Sequence, residues 1–340
     1  MKKTLVAVAV AALAATSANA AVVYNQDGTK VEVGGSFRVL LSKNTGERAD
    51  LKNVGSRVII KGTQDLGEGY SALANLEIRF DSKDTNSFSD IQAKRVFAGF
   101  AKEGVGTLTF GNQLTNLDDV AVSDYTYDLG GVKQTANAGS KTAKFRSADF
   151  GGFSFGLDYL FGEQDKKQYN AKSGFGISAF YTAALAAETK LNLEAGFSQV
   201  KVNQDDKKNL IAESKVNAFT VGTELVTGAF SLGVDYSQKK VSDDVDGFGD
   251  SEFNKVRALE VGAKYSYLEN ASIYGEYINK KSTSADGKEY VKTNGYILGT
   301  DYWFTKSVVA YLEGGTFKSK DETGEKSTDN KVGVGFRVYF

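Results

Sequence analysis

The chain has 340 residues with 41 basic and 42 acidic side chains, so its formal net charge of −1 gives no global basic footprint for nucleic acid. Histidine and cysteine are both absent, which excludes Ser-His-Asp and Cys-His catalysis, histidine-ligated zinc and disulfides. Proline is also absent while glycine (37), tyrosine (17) and phenylalanine (22) are abundant, a composition suited to a chain of paired strands, because proline removes a ladder donor.

The chain opens with Lys2 and Lys3, an apolar run from Leu5 to Ala15, and Ala18-Asn19-Ala20. A basic start, a short apolar core and a small-residue site read as a secretory signal over 1–20, cleaved between Ala20 and Ala21. The run is too short for a membrane helix, which needs about 20 apolar residues. The expected mature domain is 21–340.

From there the sequence walks by twos. Val31, Val33, Phe37, Val39 and Leu41 share one parity, with Glu32, Ser36 and Arg38 on the other. Ala72, Ala74, Leu76, Ile78 and Phe80 alternate with Ser71, Asn75, Glu77 and Arg79. The pattern returns at 153–161, 230–237 and 259–267, and finally Val332, Val334, Phe336, Val338 and Phe340 alternate with Lys331, Arg337 and Tyr339. Period two is the strand signal. The segments run to about 10 residues, the length of a tilted membrane-spanning strand rather than the five or six of soluble sheets.

Short turns, such as 65–69, 102–106, 150–152, 227–228 and 268–270, alternate with long polar connections near 44–53, 82–91, 114–140, 162–173, 202–214, 242–254, 283–289 and 320–329. Short turns at one end and long loops at the other fit an outer-membrane barrel. The expectation is a 16-stranded antiparallel transmembrane β-barrel, its first strand near 30–43 and its last near 330–340. In hydrocarbon an open sheet edge is prohibitive, so the sheet must close. Sixteen strands leave an aqueous lumen, which the Ser, Gly, Asn and charged parity would line. A soluble all-β repeat protein would show the same alternation, but not the same strand length and loop asymmetry.

A passive channel needs a constriction with charges across it, not a nucleophile. No catalytic residue, metal ligand or cofactor is expected. Connection 114–140 is the longest and carries Asp118, Asp119, Asp124 and Asp128, followed by Gly130-Gly131. The inward parity of neighbouring strands offers Arg38, Arg57, Arg79 and Arg146, with Lys61 and Lys144 on the same faces. Carboxylates of the loop facing guanidiniums of the wall would set a transverse field. The alternative is that the arginines pair with inward neighbours such as Glu77. The acidic stretch 243–252 has a calcium-loop look but fails the required ligand spacing.

Several stretches carry a family likeness: Ala21 to Val33, Gly55-Ser-Arg-Val58, Asp65-Leu-Gly-Glu-Gly69, Phe97-Ala-Gly-Phe100, Gly106 to Gln113, and Val332 to Phe340. Together they resemble the general trimeric porins of Gram-negative outer membranes, above all the outer membrane protein H type of Pasteurella- and Haemophilus-type bacteria. The resemblance implies a homotrimer, passive diffusion of ions and small hydrophilic solutes, and a third loop folded into the pore. It implies contact with outer-membrane lipid and lipopolysaccharide. It matches Arg57 to a wall arginine, leaves Lys94 as another candidate in the parity-ambiguous run 94–97, and matches Phe340 to the aromatic read by the barrel assembly machinery. Enteric relatives carry Pro-Glu-Phe-Gly-Gly at the loop tip; here Asp128-Leu129-Gly130-Gly131 stands without proline.

Overall fold

The computed structural model describes residues 20–80, 88, 90–162, 171–205, 211–243, 255–284 and 289–340. The segment up to Asn19, expected to be a secretory signal, and most of the acidic 243–252 stretch lie outside them.

The strands, in chain order, are β1 (Ala21–Gln26), β2 (Thr29–Asn44), β3 (Asp50–Asn53), β4 (Arg57–Gly67), β5 (Tyr70–Arg79), β6 (Gln92–Lys102), β7 (Gly106–Leu114), β8 (Ala138–Ser147) and β9 (Phe153–Phe161). They continue with β10 (Ala171–Ala186), β11 (Thr189–Asp205), β12 (Ile211–Thr227), β13 (Phe230–Asp243) and β14 (Lys255–Leu268). The last four are β15 (Ala271–Thr283), β16 (Glu289–Thr305), β17 (Val308–Asp321) and β18 (Lys326–Tyr339).

Each strand from β4 onward pairs antiparallel with the next, and β18 returns to β2, from Lys331 opposite Asn44 to Tyr339 opposite Ser36. The sheet therefore has no free edge, which is what hydrocarbon demands. The wall has sixteen strands. β3 and β4 are two halves of one, both pairing with β2 and separated by a break at Val54-Gly55-Ser56. Asn53 Oδ1 accepts the Ser56 N–H at 2.9 Å and Ser56 Oγ accepts the Arg38 N–H at 2.9 Å, so the break keeps its backbone groups satisfied.

β1 is a strand the alternation does not reveal, because Ala21-Val22-Val23-Tyr24 carries no period of two. It folds back on β2 through Asp27-Gly28, both at positive φ (51° and 75°), and continues the line that β18 leaves. Phe340 closes the gap, exchanging backbone hydrogen bonds with Gly35 at 2.8 and 3.1 Å. The long connection expected at 320–329 shrinks to a tight turn. Asp321 accepts the N–H groups of Thr323 and Glu325, both at 2.9 Å, so β17 and β18 extend into the polar stretch.

The two parities separate as the sequence predicts. Phe37, Leu41, Leu157, Leu298, Leu312 and Val334 lie outward and exposed, while Glu77, Asp158, Asp235, Glu260 and Glu313 are buried on the inner face. The inner face is not uniformly polar: Leu40, Phe180, Ile278 and Ile297 are buried there.

Candidate functional site

Residues 115–137 join β7 to β8 and begin with a short 3-10 turn, Asn116–Asp119. A stretch this long with almost no regular structure has backbone N–H groups without ladder partners. Carboxylates of the inner wall accept them. Asp158 on β9 takes the N–H of Asn116 at 3.0 Å, and Asp235 on β13 takes those of Val122 and Ser123 at 2.9 and 2.7 Å. Glu260 on β14 takes Gly131 and Val132, each at 3.0 Å. Glu313 on β17 takes Tyr127, Asp128 at 3.0 Å and Leu129 at 3.2 Å. Charge-assisted bonds of this kind are roughly twice as strong as neutral ones.

The loop thus runs along the inner face from β9 to β17. Leu117, Val120 and Phe180 form a small apolar cluster where it starts. Wall glycines let it approach: a Cβ at Gly196 would lie 2.6 Å from Leu117, and one at Gly262 would overlap the carbonyl of Ser123. Tyrosines complete the attachment. Tyr125 donates to Glu224 at 2.7 Å and Tyr127 to Asp301 at 3.1 Å. Burial first, then these neighbouring carboxylates, push both hydroxyls above the usual tyrosine range, so they remain donors. Tyr127 also stacks on Tyr311, with centroids 4.3 Å apart.

The opposite arc of the wall is basic. Arg337 on β18 pairs directly with Arg38 on β2, and Arg57 on β4 pairs with Arg79 on β5. Glu77, only 2% exposed, binds Arg79 at 2.7 Å, Arg95 at 2.9 Å and Arg57 at 3.2 Å. One carboxylate cannot neutralise three guanidiniums, so the cluster keeps a net positive charge. Arg38 instead donates to Ser36 Oγ at 2.8 Å and lies over the Tyr339 ring.

The other sequence-derived candidates divide. Arg146 sits apart from this arc, over the Phe180 ring, with Asp119 at 3.4 Å. Lys94 falls in a β-bulge, where Glu77 opposes Arg95 and Ile78 opposes Ala93, so Arg95 rather than Lys94 turns to Glu77. Asp118 pairs with Lys133 at 2.6 Å at the loop base. Asp124 accepts the Thr126 N–H at 2.9 Å and shapes the bend. Asp119, Asp124 and Asp128 are exposed. Among the described residues no ion pair joins the four aspartates to Arg38, Arg57, Arg79 or Arg95.

Alternation also held a signal that the reading of single motifs missed. Inward acids dominate β9 to β17 (Asp158, Glu194, Glu224, Asp235, Glu260, Glu276, Asp301, Glu313), and inward arginines dominate β18 to β6. The sign of the inward charge therefore switches with position around the barrel.

A closed sixteen-strand wall of this kind is shared with known proteins. The Gram-negative porin family matches residues 7–322. The chain belongs to that family. Major outer membrane proteins of Pasteurella multocida are 46% and 42% identical to this porin, over the whole of both chains. Among solved structures, OmpT of Vibrio cholerae superposes with a TM-score of 0.75 at 18% identity, covering 93% of this chain and 99% of that one. An anion-selective porin from Comamonas acidovorans gives 0.73 at 19%, covering 92% and 100%. At such identity these structures speak for the fold. The porin is a multi-pass β-barrel of the Gram-negative outer membrane, and its lumen is a passage for ions and small hydrophilic solutes.

Proposed function

We propose that this porin is a general diffusion channel whose passage is narrowed by loop 115–137 and screened by a transverse field. The carrying observation is the separation of charge. Arg38, Arg57, Arg79 and Arg95 line one arc, the loop with Asp119, Asp124 and Asp128 covers the other, and among the described residues no ion pair bridges them. A field held across a low-dielectric constriction orients dipolar solutes, holds water and disfavours apolar molecules. Guanidinium suits the wall because it is charged at any reachable pH.

Purified protein in a planar bilayer gives large ohmic conductance steps on this reading. Arg57→Glu moves the reversal potential in a salt gradient toward cation preference. An unchanged reversal potential places Arg57 away from the narrowest point and refutes its assignment.

The assembly is a homotrimer, a reading supported by a trimer form of Vibrio cholerae OmpT with a similar fold. Conductance steps in threes test it. Phe340, half exposed beside the Gly35 backbone, serves as the aromatic mark for barrel assembly. Deleting it lowers the yield of heat-modifiable protein in outer membranes; a normal yield leaves it a girdle residue.

A further inference from the structure

Beside the loop tip the inner wall is left uncovered, and a cavity of about 190 Å³ lies between Asp128 and Leu129 of the loop and strands β2, β3 and β18. Register places it. Arg38, Leu40 and Ser42 are successive inward residues of β2, opposite Arg337, Gly335 and Gly333 of β18. The Tyr311 ring takes the room beside Gly335, whereas a Cβ at Gly333 would meet only Leu40. The side chain missing at Gly333 is what keeps the cavity open. β2 climbs from the tight turn at Asp27-Gly28 toward the longer connection after Asn44, so the cavity stands on the external side of Arg38 and Arg337.

Its lining combines both charges with an apolar floor. Leu40 is buried there and Leu129 half-buried. Lys52 on β3, Lys331 on β18 and Asp128 supply the charges. Among the described residues neither Lys52 nor Asp128 takes part in an ion pair. Lys331 has Asp329 at 3.4 Å, both partly exposed, a pair worth little. Burial lifts the Asp128 carboxyl above its usual range, against the pull of Arg337, Lys52 and Lys331. Glu313 also borders the cavity, but its carboxylate already accepts from Tyr127, Asp128, Leu129 and the Tyr274 hydroxyl. Ser42 is only 9% exposed, and its Oγ has no hydrogen-bond partner among the described residues. Buried hydroxyls are normally paired.

A simple anion here would satisfy the lysines and be repelled by Asp128. A simple cation would satisfy Asp128 and be repelled by the lysines. A zwitterion meets both. The volume is below the roughly 300–1,000 Å³ of pockets for drug-sized ligands, which limits the occupant to a solute about the size of one amino acid.

We propose that this cavity is a binding subsite for an α-amino acid with a short aliphatic side chain. Its carboxylate sits on Lys52, Lys331 and the Ser42 hydroxyl, its ammonium on Asp128, and its side chain on Leu40 and Leu129. The subsite rests on the seat of the loop tip against the wall and not on the transverse field.

The test is saturation-transfer NMR on the purified porin in detergent, with L-leucine as the probe. It reads binding without any current, so its failure is distinct from a failure of the field, which the reversal potential reports. Wild type binds leucine saturably. Binding of 4-methylpentanoate, which lacks the amine, and of 3-methylbutylamine, which lacks the carboxylate, is weaker on the order of tenfold, the loss of one charged hydrogen bond. Asp128→Asn and the double variant K52Q/K331Q each lose affinity for leucine by a similar factor. K52R/K331R keeps most of it, and heat-modifiable mobility certifies the fold of every variant. Lys30→Gln binds as wild type does, because Lys30 lies at the other end of β2, paired with Glu32. Absence of saturable leucine binding overturns the proposal. Equal binding of either truncated analogue overturns it too, as does wild-type affinity in Asp128→Asn or in K52Q/K331Q.

Discussion

Arg337 donates from Nη2 to the carbonyl oxygen of Tyr127 at 2.7 Å, tying the last wall strand to the tip of the long loop. Its guanidinium lies over the rings of Tyr127 and Tyr311, at 4.8 and 5.3 Å. Glu313, from the neighbouring strand, accepts the N–H groups of the same tip, so cation and anion hold opposite ends of one short peptide stretch.

Removing the anionic half should loosen the tip. Glu313→Ala leaves three loop N–H groups without their acceptor, a cost on the order of 2–4 kcal/mol. Single-channel records of the variant should show larger current fluctuations and an altered step size, with a lower thermal midpoint in detergent. Records indistinguishable from wild type would place the tip outside the conducting path.

The bulge in β6 separates two adjacent cations. Arg95→Glu should shift the reversal potential in a salt gradient in the same direction as Arg57→Glu, because both guanidiniums share Glu77. Lys94→Glu should shift it less. A larger effect at Lys94 would show that the bulge points the wrong residue inward.

Close approach of the loop to the wall can be tested at Gly262. Gly262→Ala puts a Cβ onto the Ser123 carbonyl, and the loop must move to accommodate it. Conductance should change while the barrel still folds, with a destabilisation of about 1–3 kcal/mol for overpacking. Unaltered conductance would argue against the loop seat.

The raised tyrosines set a pH window. A hydroxyl whose folded value lies above its unfolded value of about 10 gives full stability below that pH and loses it as pH rises further. Unfolding in urea should therefore show little pH dependence from Tyr125 and Tyr127 up to about pH 10, then weakening. In Tyr127→Phe the alkaline fall should be shallower. A slope identical to wild type would mean that neither burial nor Asp301 holds the Tyr127 hydroxyl above its unfolded value.

Outward polarity is constrained by lipid. Leu298 is 62% exposed on β16, and Leu298→Arg should destabilise the barrel in vesicles by about 2–4 kcal/mol if it lies near the midplane. Equilibrium unfolding of refolded protein in vesicles measures this directly. A change under about 0.5 kcal/mol would mean that the position faces water.

The chain alone determined the closed barrel, its sixteen wall strands and the parity of Arg38, Arg57, Arg79 and Arg146. Those features follow from local rules, a side-chain period of two and the cost of an open edge in hydrocarbon. Tertiary structure decided which carboxylates seat the loop, since Asp235 meets Ser123 and Glu313 meets Asp128 across most of the barrel. It also decided that Arg95 rather than Lys94 turns to Glu77, because a single bulge reverses parity and leaves no mark in composition. The seating of the loop escapes any local reading because the N–H groups of Val122, Ser123, Tyr127, Asp128, Leu129, Gly131 and Val132 are satisfied by residues more than a hundred positions away, brought close only when the sheet closes.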